Sequence, residues 1–154
     1  MLTLNLPPYP AKVKADAQGQ KYIYDELRLR WVRLTPEEWV RQHFTNFLIQ
    51  HKHYPKSLIA HEVNMKIGNT NRRCDILLYN RIGLTPLLVV ECKAPNVEIT
   101  QTTFQQVCAY NTVLRAKYTI VTNGMVHYAC KIDLDKHTAN YLQGIPDYEE
   151  IADE

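Results

Sequence analysis

The stretch Arg72–Pro95, RRCDILLYNRIGLTPLLVVECKAP, decides the fold. Its first arm, Cys74 to Tyr79, and its second, Leu87 to Val90, are apolar runs of strand type, and Asn80, Gly83 and Pro86 between them favour a turn. The pattern predicts two antiparallel strands. With the turn centred on Gly83, Tyr79 faces Leu87, Leu77 faces Val89 and Asp75 faces Glu91. Directly opposed residues have Cβ atoms roughly 4.5–5.5 Å apart, and like charges so placed repel. Alternation puts Lys93 on the face of the two acids, and leaves Cys74, Ile76, Leu78, Leu88, Val90 and Cys92 to form an apolar core face.

Two carboxylates pressed together beside a lysine make chemical sense if a cation sits between them. A hard divalent ion such as Mg²⁺ takes oxygen ligands, commonly one or two carboxylates plus waters and phosphate. It can polarise a phosphate and acidify a bound water, and a lysine there can orient that water or offset transition-state charge. The residue types alone equally allow a solvated strand end in which Asp75 pairs with Arg73 or Lys93.

Asp75 followed by Glu91-Cys92-Lys93 resembles the D…ExK signature of the PD-(D/E)XK nuclease superfamily. The blocks TPEEWVRQHF (35–44), RRCDILLY (72–79), LLVVECKAP (87–95), QVCAY (106–110) and IVTNG (120–124) resemble, in that order, the N-terminal nuclease domain of type I restriction enzyme restriction subunits. The likeness spans about residues 20 to 133; Cys74 stands where the superfamily usually has proline. It implies a DNA endonuclease using Mg²⁺ or Mn²⁺, with Asp75, Glu91 and the Cys92 backbone carbonyl as metal ligands and Lys93 assisting the attacking water. Gln106 and Tyr110 match a QxxxY motif that supports the site, and Glu38 best matches a first-helix glutamate near the metal. A non-catalytic nucleic-acid-binding or assembly module that keeps the fold is the rival reading, and RNA is a rival substrate.

The rest of the chain is consistent with one domain. Its 154 residues suffice for a core, with 45% hydrophobic and 22% charged residues and a net charge of +2, too small to announce a nucleic-acid binder. Lys and Arg dominate 28–33 and 66–73, and the end from Asp147 is acidic. No apolar run is long enough for a membrane span, and the start lacks the core of a signal peptide, so a cytoplasmic location is expected. No GxxxxGK[ST] motif for a motor is present, which points to a stand-alone nuclease, a homo-oligomer or a member of a larger restriction-type assembly. The four cysteines lack zinc spacing; Cys74 opposite Cys92 would place two thiols close together.

Residues 1–20, with Pro7, Pro8 and Pro10, read as an extended arm, and 21–34 is ambiguous between strand and helical turn. Thr35-Pro36-Glu37-Glu38 reads as a helix start in which Glu38 completes a capping box. Val40, Phe44, Phe47 and Leu48 then mark a helix with one buried face, ending before Pro55. Ser57 to Ile67 reads as a strand that sets Glu62 opposite Leu77, as a further acid near the metal or as a surface residue, while His61 points away. A helix follows over 100–116, then a crossover strand 117–122 lying parallel to a neighbour. Asn123-Gly124 suggests a type I′ turn into 125–132, where His127 is a weak catalytic candidate. The acidic segment 141–154 reads as loosely held. The predicted architecture is a restriction-endonuclease-like α/β sandwich over residues 21–140: a three-strand meander plus a crossover strand, flanked by helices.

Overall fold

The computed structural model describes residues 2–152, which form two β-sheets and three α-helices. The larger sheet runs β4 (Ile59–Ile67), β5 (Thr70–Tyr79), β6 (Pro86–Cys92), β7 (Tyr118–Thr122), β8 (His127–Asp133) and β9 (Thr138–Tyr141), in that spatial order. β6 and β7 are parallel and the other neighbours antiparallel, so the sheet is mixed. Helix α2 (Gln101–Leu114) makes the crossover between the parallel pair.

The β5–β6 hairpin has the expected register at Ile76–Val90, Leu77–Val89 and Leu78–Leu88, then slips so that Tyr79 meets Pro86 instead of Leu87. Thr85 explains the slip. Asn80 takes a backbone bond at 2.7 Å from its N–H to the Thr85 carbonyl, and its side-chain amide donates to Thr85 Oγ1 at 2.9 Å.

Helix α1 (Pro36–His51) begins as its residues dictate: the Glu38 N–H donates to Thr35 Oγ1 at 3.0 Å, with Pro36 at the first helical position. Its Val40, Phe44 and Leu48 are buried with Ile76, Leu78, Leu88, Val90 and Ile120. Val107 and Tyr110 of α2 pack instead with Cys74, Leu77, Val89 and Val121. Each aliphatic side chain so buried contributes about 1.5–3 kcal/mol.

Cys74 thus belongs to the α2 side and not to the face of Ile76 and Cys92 where alternation placed it. Its ladder partner is Val63, while Cys92 pairs with Thr122, so the two thiols are not opposed. All four cysteines are free.

Three further expectations are corrected. Residues 1–20 are not simply an extended arm: β1 (Val13–Ala15) joins β2 (Lys21–Asp25) and β3 (Arg30–Arg33) in a three-stranded antiparallel sheet, and Leu4 is buried. Asn123-Gly124 is part of a four-residue loop between Thr122 and His127, not a two-residue type I′ turn. Only Gly124 has positive φ there, and the Asn123 carboxamide oxygen accepts from the N–H groups of both Met125 and Val126 at 2.9 Å. The C-terminal segment is docked: α3 (Tyr148–Ile151) buries Tyr148 and Ile151 in the α1-side core, and the Tyr54 hydroxyl donates to the Pro146 carbonyl at 3.0 Å. The last two residues of that segment lie outside the described residues. Among the described residues, no helix is long and apolar enough to cross a membrane.

Candidate active site

The site forms where the β4–β5–β6 ladder breaks. On either side of Glu62 and Asp75 the pairing is regular, His61 with Ile76 and Val63 with Cys74, so Glu62 lies across from Asp75 and not from Leu77. Those two do not pair, and Glu62 has φ of +50°. A non-glycine residue in that region is strained, and such strain concentrates at functional sites. The break frees Asp75 to turn toward α1, where its Oδ1 accepts from Arg41 Nη2 at 2.7 Å. Its Oδ2 accepts from the Cys92 backbone N–H at 2.7 Å.

Asp75, Glu91 and Lys93 all line one cleft of about 830 Å³. Glu91 is 4% exposed, and its Oε1 lies 3.4 Å from Lys93 Nζ. Glu91 Oε2 is buried without any partner. Burial, followed by the charge of Asp75, pushes the Glu91 carboxyl up to about 8. Lys93 Nζ donates to Gln106 Oε1 at 3.0 Å, and Gln106 Nε2 donates to the Tyr110 hydroxyl at 2.9 Å. The four-residue spacing on α2 therefore puts Gln106 and Tyr110 in one hydrogen-bonded chain that ends on Lys93.

The accessory acids lie differently from expectation. Glu38 does not close a capping box or stand free: its Oε1 accepts from Arg28 Nη2 at 2.8 Å and forms an ion pair with Arg41 Nη1 at 2.7 Å, and its Oε2 accepts from Gln42 Nε2 at 3.0 Å. Glu62 is held by Arg28 at 2.5 Å and Arg41 at 3.4 Å, with Arg73 at 3.7 Å. The freer acid of α1 is Glu37, half-exposed, whose carboxyl is raised by burial and then by the charge of Asp75. It also feels the positive charges of Arg41 and Lys93, and it contributes to the field on Glu91.

Two arginines that pattern reading passed over hold this arrangement together. Arg41 is buried, with ion pairs to Glu38 and Asp75, and these raise its pKa against the opposing effect of burial. Arg28 bridges Asp25, Glu38 and Glu62. A signal for Arg41 existed in its place three after Glu38 and four after Glu37 on one helix; Arg28 had none. Of the histidines, His61 and His127 are engaged in hydrogen bonds within the fold. His61 is buried between Asp25 Oδ2 at 2.8 Å and Thr45 Oγ1 at 2.7 Å, and His127 is held by Thr122 Oγ1 at 2.6 Å and the Asn5 carbonyl at 3.1 Å.

A partnerless buried carboxylate oxygen, next to a second carboxylate and in an all-oxygen donor set, fits a hard divalent cation such as Mg²⁺. Among the described residues, no group of three or more His, Cys, Asp or Glu forms a ready cage. Mg²⁺ does not need one, since it keeps several waters.

Comparison with known proteins places this geometry in context. The family described as "Type I restriction enzyme R protein N terminus (HSDR_N)" matches residues 36–146. A solved fragment described as an HsdR subunit of a type I restriction enzyme from Vibrio vulnificus YJ016 is similar in fold, with 24% identity and a TM-score of 0.56. The match covers 77% of this chain and 24% of that one, so this chain spans about a quarter of its length. The type IIG restriction endonuclease BpuSI is a remoter match, at 23% identity and a TM-score of 0.38 over 66% of this chain and 11% of that one. No curated protein matches the sequence. Asp75, Glu91, Lys93, Gln106 and Tyr110 all fall inside the matched residues, and the mixed α/β architecture agrees: the chain belongs to the family of type I restriction enzyme R protein N termini.

Proposed function

We propose that this nuclease-like domain hydrolyses phosphodiester bonds in DNA with the help of Mg²⁺ or Mn²⁺. The ligands would be Asp75, Glu91 and the Cys92 backbone carbonyl. The observation that carries this reading is Glu91 Oε2, buried and partnerless beside Asp75 and within reach of an aimed lysine. A bound divalent ion supplies a Lewis acid for the scissile phosphate and a more acidic water.

The chain's own residues supply orientation and charge. Lys93, steadied through Gln106 by Tyr110, presents its ammonium beside Glu91, where it can orient a water and offset negative charge gathering on the phosphate. Glu37, the freer α1 carboxylate, takes the accessory part expected of Glu38, which is consumed by Arg28 and Arg41. Incubation of supercoiled plasmid and of oligonucleotides with Mg²⁺ or Mn²⁺ tests the reading. Cleavage lost in Asp75→Asn and Lys93→Ala is the expected result; no cleavage of any DNA form, or undiminished cleavage by Lys93→Ala, overturns it.

One observation favours a second reading, a non-catalytic nucleic-acid-binding or assembly module. Both oxygens of Asp75 already have partners, Arg41 and the Cys92 N–H, so part of the site is neutralised from within. Calorimetry decides: absence of Mn²⁺ binding with DNA binding retained selects the module. DNA as partner, a place in a larger restriction-type assembly and a cytoplasmic location belong to the same proposal.

A further inference from the structure

One wall of the cleft lies outside the residues that match the family. It is β3, Arg30-Trp31-Val32-Arg33, and all four residues line the cleft together with Lys93, Gln106 and Tyr110. Arg30, Trp31 and Arg33 are exposed, and among the described residues neither arginine forms an ion pair with a carboxylate. The other cationic guanidinium groups of the cleft, Arg28, Arg41 and Arg73, are all paired. The wall is also fixed in place, because the turn before it is pinned to the site by Arg28 on Glu38 and Glu62, and by Asp25 on His61.

Trp31 has the ammonium of Lys14 over its ring at 4.3 Å and the edge of Tyr24 at 5.4 Å. Lys14 is itself exposed, so its hold on the ring is exchangeable, and a base that took the ring face would leave the ammonium free for a phosphate. In the ladder Trp31 and Arg33 stand across from Tyr24 and Tyr22 on one face of the small sheet, and Arg30 stands across from Asp25 on the other. Free cations therefore lie on both faces of the strand that carries the ring, a match for a nucleotide strand whose phosphates alternate with flat bases. A duplex hides its base faces and offers Trp31 nothing to stack on. The acids at the cleft floor, Asp75 at 7% and Glu91 at 4% exposure, also require a strand able to reach inward.

We propose that β3 positions single-stranded or locally unpaired DNA, with Trp31 stacking on an unpaired base, Arg33 holding a phosphate on the ring's own face of the strand and Arg30 a neighbouring phosphate from the other face. The inference rests on the nuclease reading for its substrate but stands or falls on binding. The test is fluorescence anisotropy with a labelled oligodeoxythymidine, a blunt duplex and an RNA strand, in EDTA so that nothing is cut, with circular dichroism of every variant.

The single DNA strand is expected to bind tightest. Trp31→Ala is expected to lose about tenfold or more of that affinity, with duplex binding little changed and Trp31→Phe retaining most of it. Arg30→Gln combined with Arg33→Gln is expected to weaken binding and flatten its salt dependence. Equal or tighter duplex binding, tighter RNA binding, or no effect of Trp31→Ala in a folded protein overturns the proposal. Asp75→Asn and Lys93→Ala separate the two claims: Trp31-dependent binding without cleavage by the wild type sinks the catalytic reading alone, and Lys93-dependent cleavage indifferent to Trp31 sinks this one alone.

Discussion

Glu91 is the residue on which the proposed chemistry turns, and its proton is measurable. Its carboxyl stands at about 8 in the folded chain against an ordinary value of 4.5. Below the ordinary value the folded and unfolded chains are both protonated there, so the contribution is intact. As pH rises from 4.5 to 8 the unfolded chain gives up a proton that the fold retains, and stability falls by up to about 1.4 kcal/mol per pH unit before levelling above 8. Thermal melts of wild type and Glu91→Gln across that window are expected to show a decline in the wild type that the variant lacks. A divalent ion must displace the same proton, so calorimetric Mn²⁺ affinity is expected to rise toward pH 8 with proton release, and to collapse in Glu91→Gln. Of Asp75, Glu91 and Lys93, which line one cleft, alternation made Glu91 and Lys93 legible as neighbours on one face, whereas Asp75 turns toward α1 at the ladder break beside Glu62, which alternation does not foresee. Arg41 was not legible, since a long side chain that reaches from a helix to a strand thirty-four positions on leaves only a weak mark in the sequence. Replacing it with methionine would leave Glu38 and Asp75 buried without their shared cation, and a loss of about 3–5 kcal/mol is expected by denaturant titration.

At the scale of elements, boundaries set by side-chain caps were readable and those set by distant contacts were not. Thr35 fixed the start of α1, and its replacement by alanine is expected to cost about 1 kcal/mol in a thermal melt. The α2 pair Gln106 and Tyr110 likewise followed from spacing. The loop after β7 misled because Asn123 uses its side chain to bond two backbone N–H groups, which stabilises a longer loop than a type I′ turn. Gly124 in that loop carries the N-terminal segment: its φ is +83°, a Cβ there would lie 2.8 Å from Leu4 Cδ2 and 3.2 Å from Val40 Cγ2, and its carbonyl accepts from the Asn5 N–H at 2.9 Å. Gly124→Ala combines positive φ with a clash, so a loss of at least about 1–2 kcal/mol is expected, with hydrogen exchange rising first at Asn5.

Across the whole molecule, two sheets must be held in one relation for the cleft to have two walls, and pattern reading left the small sheet ambiguous over 21–34 and missed β1, because three short strands gain their stability from what they dock on. Two buried polar links attach it. Asp25 meets His61, and Arg28 gathers Asp25, Glu38 and Glu62 from three separate elements. Burial alone would raise the Asp25 carboxyl, but the hydrogen bond and charge of His61 and the bonds from Arg28 bring it well below the usual carboxylate range. Removing Arg28 would leave three acids facing one another across the junction, and water would have to enter to solvate them. The loss on Arg28→Ala is therefore expected to reach about 3–5 kcal/mol, and to be uneven. Amides of β2 and β3 should exchange faster by far more than those of β6 and β7, which are held by the apolar core on both faces. Uniform acceleration across both sheets would mean that the small sheet folds as one cooperative unit with the large one, and that the cleft owes its second wall to general stability instead of to this guanidinium.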